Sequence, residues 1–177
     1  MPTKNFSSIG GFAVGSTEVV NTQFELKNIS AIHMVSDNFA DASHDKYLVK
    51  RVTDSANNTL QLTLDGTTAL ATNTPALDAD RVCFIKARVF GQETTSNQYV
   101  YATTFDIVVT TANDGTPTVA ATYENIIRNN PPGQELWNVT PDAFQIGGAP
   151  YFTFEVKSVT TNSTVKWIGV LDITVVS

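Results

Sequence analysis

Cysteine is nearly absent from this chain: a single one, Cys83, stands among 177 residues. An internal disulfide framework is therefore impossible, and stability must come from packing and backbone pairing, as expected for synthesis in a reducing cytoplasm. Histidine is almost as scarce, with only His33 and His44, which narrows metal and general-base chemistry. Neither sits in a His-x-x-x-His or His-Glu-x-x-His spacing. Positive charge is the minority sign: 11 Lys and Arg against 17 Asp and Glu give a net charge of −6 and a pI near 4.7. Such a chain repels phosphate backbones and anionic lipid, so neither nucleic acid nor a membrane is an expected partner. No run of about 18 apolar residues occurs, and the first residues lack the apolar stretch of a signal peptide. The chain reads as soluble and unprocessed.

What is abundant points to strands. The chain holds 25 Thr, 19 Val, 10 Ile, 10 Phe, 5 Tyr and 2 Trp, the β-branched and aromatic types that fit a pleated surface. Charged residues stop at 16%, so 25 Thr, 14 Asn and 11 Ser supply most of the polarity. From residue 18 the pattern is two-fold, with Val20, Thr22, Phe24 and Leu26 on one face. Similar alternation runs through 46–52, 59–64, 81–90, 99–109, 151–156 and 164–175. Turn chemistry separates these runs at Asp65-Gly66, Asn113-Asp114-Gly115 and Gly147-Gly148. Strands a turn apart favour antiparallel hairpins over parallel crossovers. The expected fold is all-β, an antiparallel β-sandwich divisible into two small β-portions, with a flexible N-terminal arm. The expected division is an arm at 1–15, an N-terminal β-portion at 16–75 and a C-terminal sandwich module at 80–177, joined by the Thr- and Ala-rich stretch 67–79. Helix is expected for only a turn or two, at 37–45 and at 123–128.

Residues 1–15 carry Phe6, Ile9, Phe12 and Val14 among Ser and Gly with no consistent period. These four are the candidate subunit-contact residues, apolar groups that would order against a neighbour. The best metal candidates, Asp37, Asp41, His44 and Asp45, fail the spacing of a calcium loop and read as a solvated acidic face, so no metal is expected. Cys83 alternates in phase with Ile85 and Ala87, the pattern of a packed thiol. No nucleophile elbow, Walker loop or dinucleotide fingerprint occurs, so no catalytic residue and no cofactor is assigned. Lys46 and Lys50 share a strand face, read as solvated. Trp167 reads as core, whereas Trp137, Tyr99 and Tyr151 are candidate sugar platforms.

In order along residues 80–176 come Val89-Phe90-Gly91, Phe105-Asp106-Ile107-Val108, Gly115-Thr116-Pro117, Trp137-Asn138-Val139, Val156-Lys157-Ser158 and Thr164-Val165-Lys166-Trp167 with the strand through Val175. This succession resembles a small β-module of structural proteins of tailed bacteriophages, found in tail fibres and related appendages. The resemblance implies a non-enzymatic virion protein, a capsid decoration or tail or fibre appendage subunit. It would be made in the host cytoplasm, form a homo-oligomer and contact other virion subunits. The alternative is a carbohydrate-binding module whose partner is a host surface glycan.

Overall fold

The computed structural model describes residues 12–14, 17–20, 29–36, 39–54, 59–94, 99–130, 137–158 and 164–176. The chain forms two units, 1–30 and 31–177. In the first, β1 (Phe12–Val14) pairs antiparallel with β2 (Thr17–Val20), setting Val14 opposite Thr17. Of the four expected contact residues, Phe6 and Ile9 lie outside the described residues, as do the side chains of Phe12 and Val14.

The second unit is a sandwich of two antiparallel sheets. Its strands are β3 (Ala31–Ser36), β4 (Phe39–Thr53), β5 (Thr59–Gln61), β6 (Arg81–Glu93), β7 (Val100–Thr111), β8 (Pro117–Asn130), β9 (Asn138–Ile146), β10 (Ala149–Lys157) and β11 (Val165–Val176). One sheet has the order β3-β4-β11-β6-β7-β8 and the other β5-β10-β9. The all-β antiparallel expectation therefore holds. The final strand lies mid-sheet, with Leu171 opposite Tyr47 on β4 and Ala87 on β6. Strands from both sides of the 67–79 connection thus share a single sheet.

The alternation places the core. On β11, Val165, Trp167, Leu171 and Ile173 are buried while Lys166, Ile168 and Val170 are exposed, and β6 and β7 repeat the pattern. From the smaller sheet, Phe152, Phe154 and Val139 close over these side chains. Fully burying each large apolar group contributes about 1.5–3 kcal/mol. The indoles of Trp137 and Trp167 meet edge to face at 5.6 Å, and Phe105 packs on Phe154 at 4.8 Å. The Trp167 indole N–H donates to Thr53 Oγ1 at 3.0 Å, and the Ser158 hydroxyl donates to the same oxygen at 2.9 Å. These bonds remove the penalty of burying polar atoms among aromatic rings.

Two local expectations are corrected. Of the stretch 37–45, residues 37 and 38 lie outside the described residues, and residues 39–45 are not helical but form the first half of β4, where Asp45 pairs with His33. The stretch 123–128 lies within β8, whose backbone pairs with β7 instead of closing helical turns. In both places non-local strand pairing overrides an unremarkable local preference.

Candidate functional site

The smaller sheet covers one face of the six-stranded sheet, and the described residues leave the opposite face open, with Phe84, Phe90, Ile168 and Leu48 exposed on it. Register assembles that open face row by row. Lys46, Asp172, Lys86 and Asp106 stand side by side across β4, β11, β6 and β7. The next row is Leu48, Val170, Arg88 and Thr104, and beyond it lie Lys50, Ile168, Phe90, Ala102 and Arg128. On the other side of the charged row come His44, Thr174, Phe84 and Val108. A concavity of about 560 Å³ opens over Lys46, Lys86, Arg88, Phe90, Asp106 and Asp172.

This surface is both basic and apolar. Among the described residues six cations lie on it: Lys46, Lys50, Lys86, Arg88, Arg128 and Lys166. Among the described residues Asp106 and Asp172 oppose them on the strands, and Asp65 from the loop after β5 shares a concavity with Lys50 and Lys166. Lys46 Nζ pairs with Asp172 Oδ1 at 2.8 Å, with His44 Nε2 at 3.6 Å from the same oxygen, and Lys86 Nζ lies 4.0 Å from Asp106. Between the charges Phe84 is 51% exposed, Ile168 47%, Phe90 45% and Leu48 43%. Single exposed apolar groups are ordinary, but Leu48, Val170, Ile168 and Phe90 occupy adjacent rows of one sheet face, a grouping that marks an interaction surface.

The sequence-derived candidates are dispersed by the fold. His44 and Asp45, adjacent in the chain, project to opposite faces of β4: His44 bonds Thr174 Oγ1 at 2.9 Å, while Asp45 is bonded by His33 Nδ1. The side chains of Asp37 and Asp41 lie outside the described residues. Among the described residues no group of three or more metal-ligating side chains converges. Cys83 is buried, and desolvation, followed by the charges of Asp78 and Asp45, pushes its thiol up to about 11. The sugar-platform expectation is corrected at its named rings. Trp137 and Tyr151 are buried, and Tyr99 packs half-buried against the core. Trp137, one residue before β9, meets Trp167 in the interior at 5.6 Å.

One feature escaped sequence reasoning. On the outer face of the smaller sheet, Asp142 on β9 and Glu155 on β10 are diagonal neighbours. Gln61 Nε2 on β5 donates to Asp142 Oδ2 at 2.6 Å. Desolvation, and then the charge of Asp142, raises the Glu155 carboxyl above its ordinary range. Asp142 and Glu155 belong to one hairpin, but Gln61 lies 81 residues before Asp142, so no local motif could have signalled the three together.

No protein-family profile matches the chain, and no curated protein sequence does either. Among solved structures it is similar to the tailspike protein gp49 of Acinetobacter baumannii bacteriophage Fri1, a capsular polysaccharide depolymerase. That likeness has 15% identity and a TM-score of 0.38, covering 80% of this chain and 19% of that one. It is also similar to the tailspike protein of Acinetobacter baumannii phage AM24, at 12% identity and a TM-score of 0.30, covering 75% of this chain and 26% of that one. The chain thus spans about a fifth and about a quarter of the two tailspikes' lengths. The expectation of a non-enzymatic protein is corrected here, because a depolymerase stands among the proteins of similar structure. The physical reason is that glycosidic cleavage needs only two carboxylates brought together by a fold, and a search for contiguous motifs does not see them. By structure, then, what this chain is similar to is the tailspike proteins of bacteriophages.

Proposed function

We propose that the chain is a structural subunit of a bacteriophage virion, placed in a tail or fibre appendage, and that it works through protein–protein contact. The observation that carries this reading is the open face of the six-stranded sheet, where Phe84, Phe90, Ile168 and Leu48 stand exposed among cations. The succession of landmarks over residues 80–176 supports the virion setting. Two sheets locked by a shared aromatic core make a rigid block, and a rigid block presents a contact face without paying to order it. The segment 1–15, with Phe6, Ile9, Phe12 and Val14, serves as a second contact element that clasps a neighbour. Repetition of the subunit then multiplies modest contacts into firm attachment.

Mass spectrometry of purified particles, followed by gold labelling of the chain in electron micrographs, tests this directly. The chain is expected among the virion proteins with label on the tail. Label over the capsid would make it a decoration subunit, and absence from washed particles would end the virion reading. Deleting residues 1–15 is expected to lower incorporation several-fold; unchanged incorporation would remove the arm from the mechanism.

A further inference from the structure

We propose that the open face of the six-stranded sheet docks an acidic protein surface that carries apolar side chains of its own. This rests on the protein-contact reading above and specifies the partner's chemistry. The described residues on the strands of this face sum to +4, in a chain whose total is −6. Register alone gathers this charge, since the cations come from β4, β6, β8 and β11. Asp172 is engaged by Lys46 at 2.8 Å. Among the described residues no carboxylate pairs with Lys50, Arg88, Arg128 or Lys166.

The alternatives fit less well. Two copies stacked face to face would set +4 against +4, and like charges across an interface cost several kcal/mol. A nucleic acid would satisfy the cations through phosphates yet leave Phe84, Phe90 and Ile168 against a hydrated backbone. An acidic surface with apolar groups satisfies both halves of the pattern. The area is sufficient: five strands about 4.8 Å apart and twelve residues of about 3.4 Å rise offer roughly 950 Å², against about 800 Å² per partner in a stable complex.

The test uses the full chain, with binding followed by fluorescence anisotropy of labelled probes. The probes are a random glutamate–tyrosine copolymer, polyglutamate of equal length, a single-stranded DNA of matched charge and phosphatidylserine vesicles. The chain is expected to bind the copolymer roughly tenfold more tightly than polyglutamate. Lys86→Glu with Arg88→Glu should weaken copolymer binding by at least roughly tenfold, and Lys86→Gln with Arg88→Gln should weaken it less. Lys157→Glu, on the other sheet, should leave it unchanged. Thermal melts confirm that the variants fold, since both positions are exposed. Tighter binding of DNA or vesicles than of the copolymer, an equal effect of Lys157→Glu, or self-association abolished by the double reversal would each overturn the proposal. Absence of the chain from virions would end the functional reading while leaving this binding result standing.

Discussion

Gly91 shows how one residue admits the core. A Cβ at this position would lie 2.5 Å from Trp167 Cζ3 and 2.6 Å from its Cε3, inside any real contact. Trp167 is itself wedged between Tyr101 at 5.8 Å and Trp137 at 5.6 Å, so its ring has nowhere to retreat. Gly91→Ala should therefore cost about 1–3 kcal/mol through overpacking, read as a lower urea midpoint with unchanged slope; unaltered stability would mean the indole can move. Glu155 offers a pH signature. Its carboxyl is raised from an ordinary 4.5 by desolvation and by Asp142, so the native state binds its proton more tightly than the unfolded chain. The stability it contributes is complete below the unfolded value and is lost as pH rises through the folded one. Glu155→Gln should accordingly be more stable than the parent at pH 7 and lose that advantage below about pH 4.5. Urea unfolding at the two pH values checks the sign. The inward phase of Cys83, Trp167 and Leu171 could be read from alternation alone, but the Glu155–Asp142–Gln61 contact depends on which strands become neighbours.

At the scale of elements, legibility followed burial. Strands β6, β7 and β11 have one buried and one exposed face, so polarity alternates and the eye finds them. Strand β8 is exposed along nearly its whole length, and its Tyr123, Ile126 and Ile127 are 66%, 50% and 63% exposed. An edge strand with little to bury has no reason to alternate, and those three residues mimic a helical stripe. Strand β9 contains Pro141 and half-buried positions on both sides, which hid it in the same way. What holds β8 in place is its turn and its pairing with β7. Gly115 adopts φ +80°, and a Cβ there would meet the Gly148 carbonyl oxygen at 2.5 Å. The turn is closed by Ala112 N donating to Thr116 O at 2.9 Å and Thr116 N donating to Asp114 Oδ1 at 2.9 Å. Gly115→Ala should cost roughly 2 kcal/mol or more, the sum of left-handed strain and a backbone clash. Gly147→Ala, at φ +62° in open space, should cost only about 1–2 kcal/mol. Comparing the two urea midpoints separates the clash from the strain.

At the scale of the whole molecule, the open basic face was invisible in composition because an acidic total conceals it. Lys46 and Lys50 could be seen to share a strand face, but only register brings Lys86, Arg88 and Lys166 beside them. The same non-local pairing governs how the second unit coheres. β11 forms its ladder with β4 from Val165 opposite Thr53 to Val176 opposite Ala42, so residues at one end of the unit complete a sheet with residues at the other. Val49 and Leu62, both before residue 80, are fully buried in the shared core. Leu62 N donates to Phe154 O at 2.9 Å, and Thr153 Oγ1 donates to Leu62 O. A fragment of residues 80–177 would lose β3, β4 and β5, opening twelve positions of β11 to solvent and uncovering the indole bonded to Thr53. An unpaired strand flanked by exposed apolar groups is an aggregation template. The fragment is therefore expected to give poor chemical-shift dispersion or to precipitate, and adding a peptide spanning residues 31–66 should restore native-like dispersion. A soluble fragment melting within a few degrees of the parent would show instead that the 80–177 segment carries its own core, and that Val49, Leu62 and the β4 ladder contribute little to holding the sandwich together.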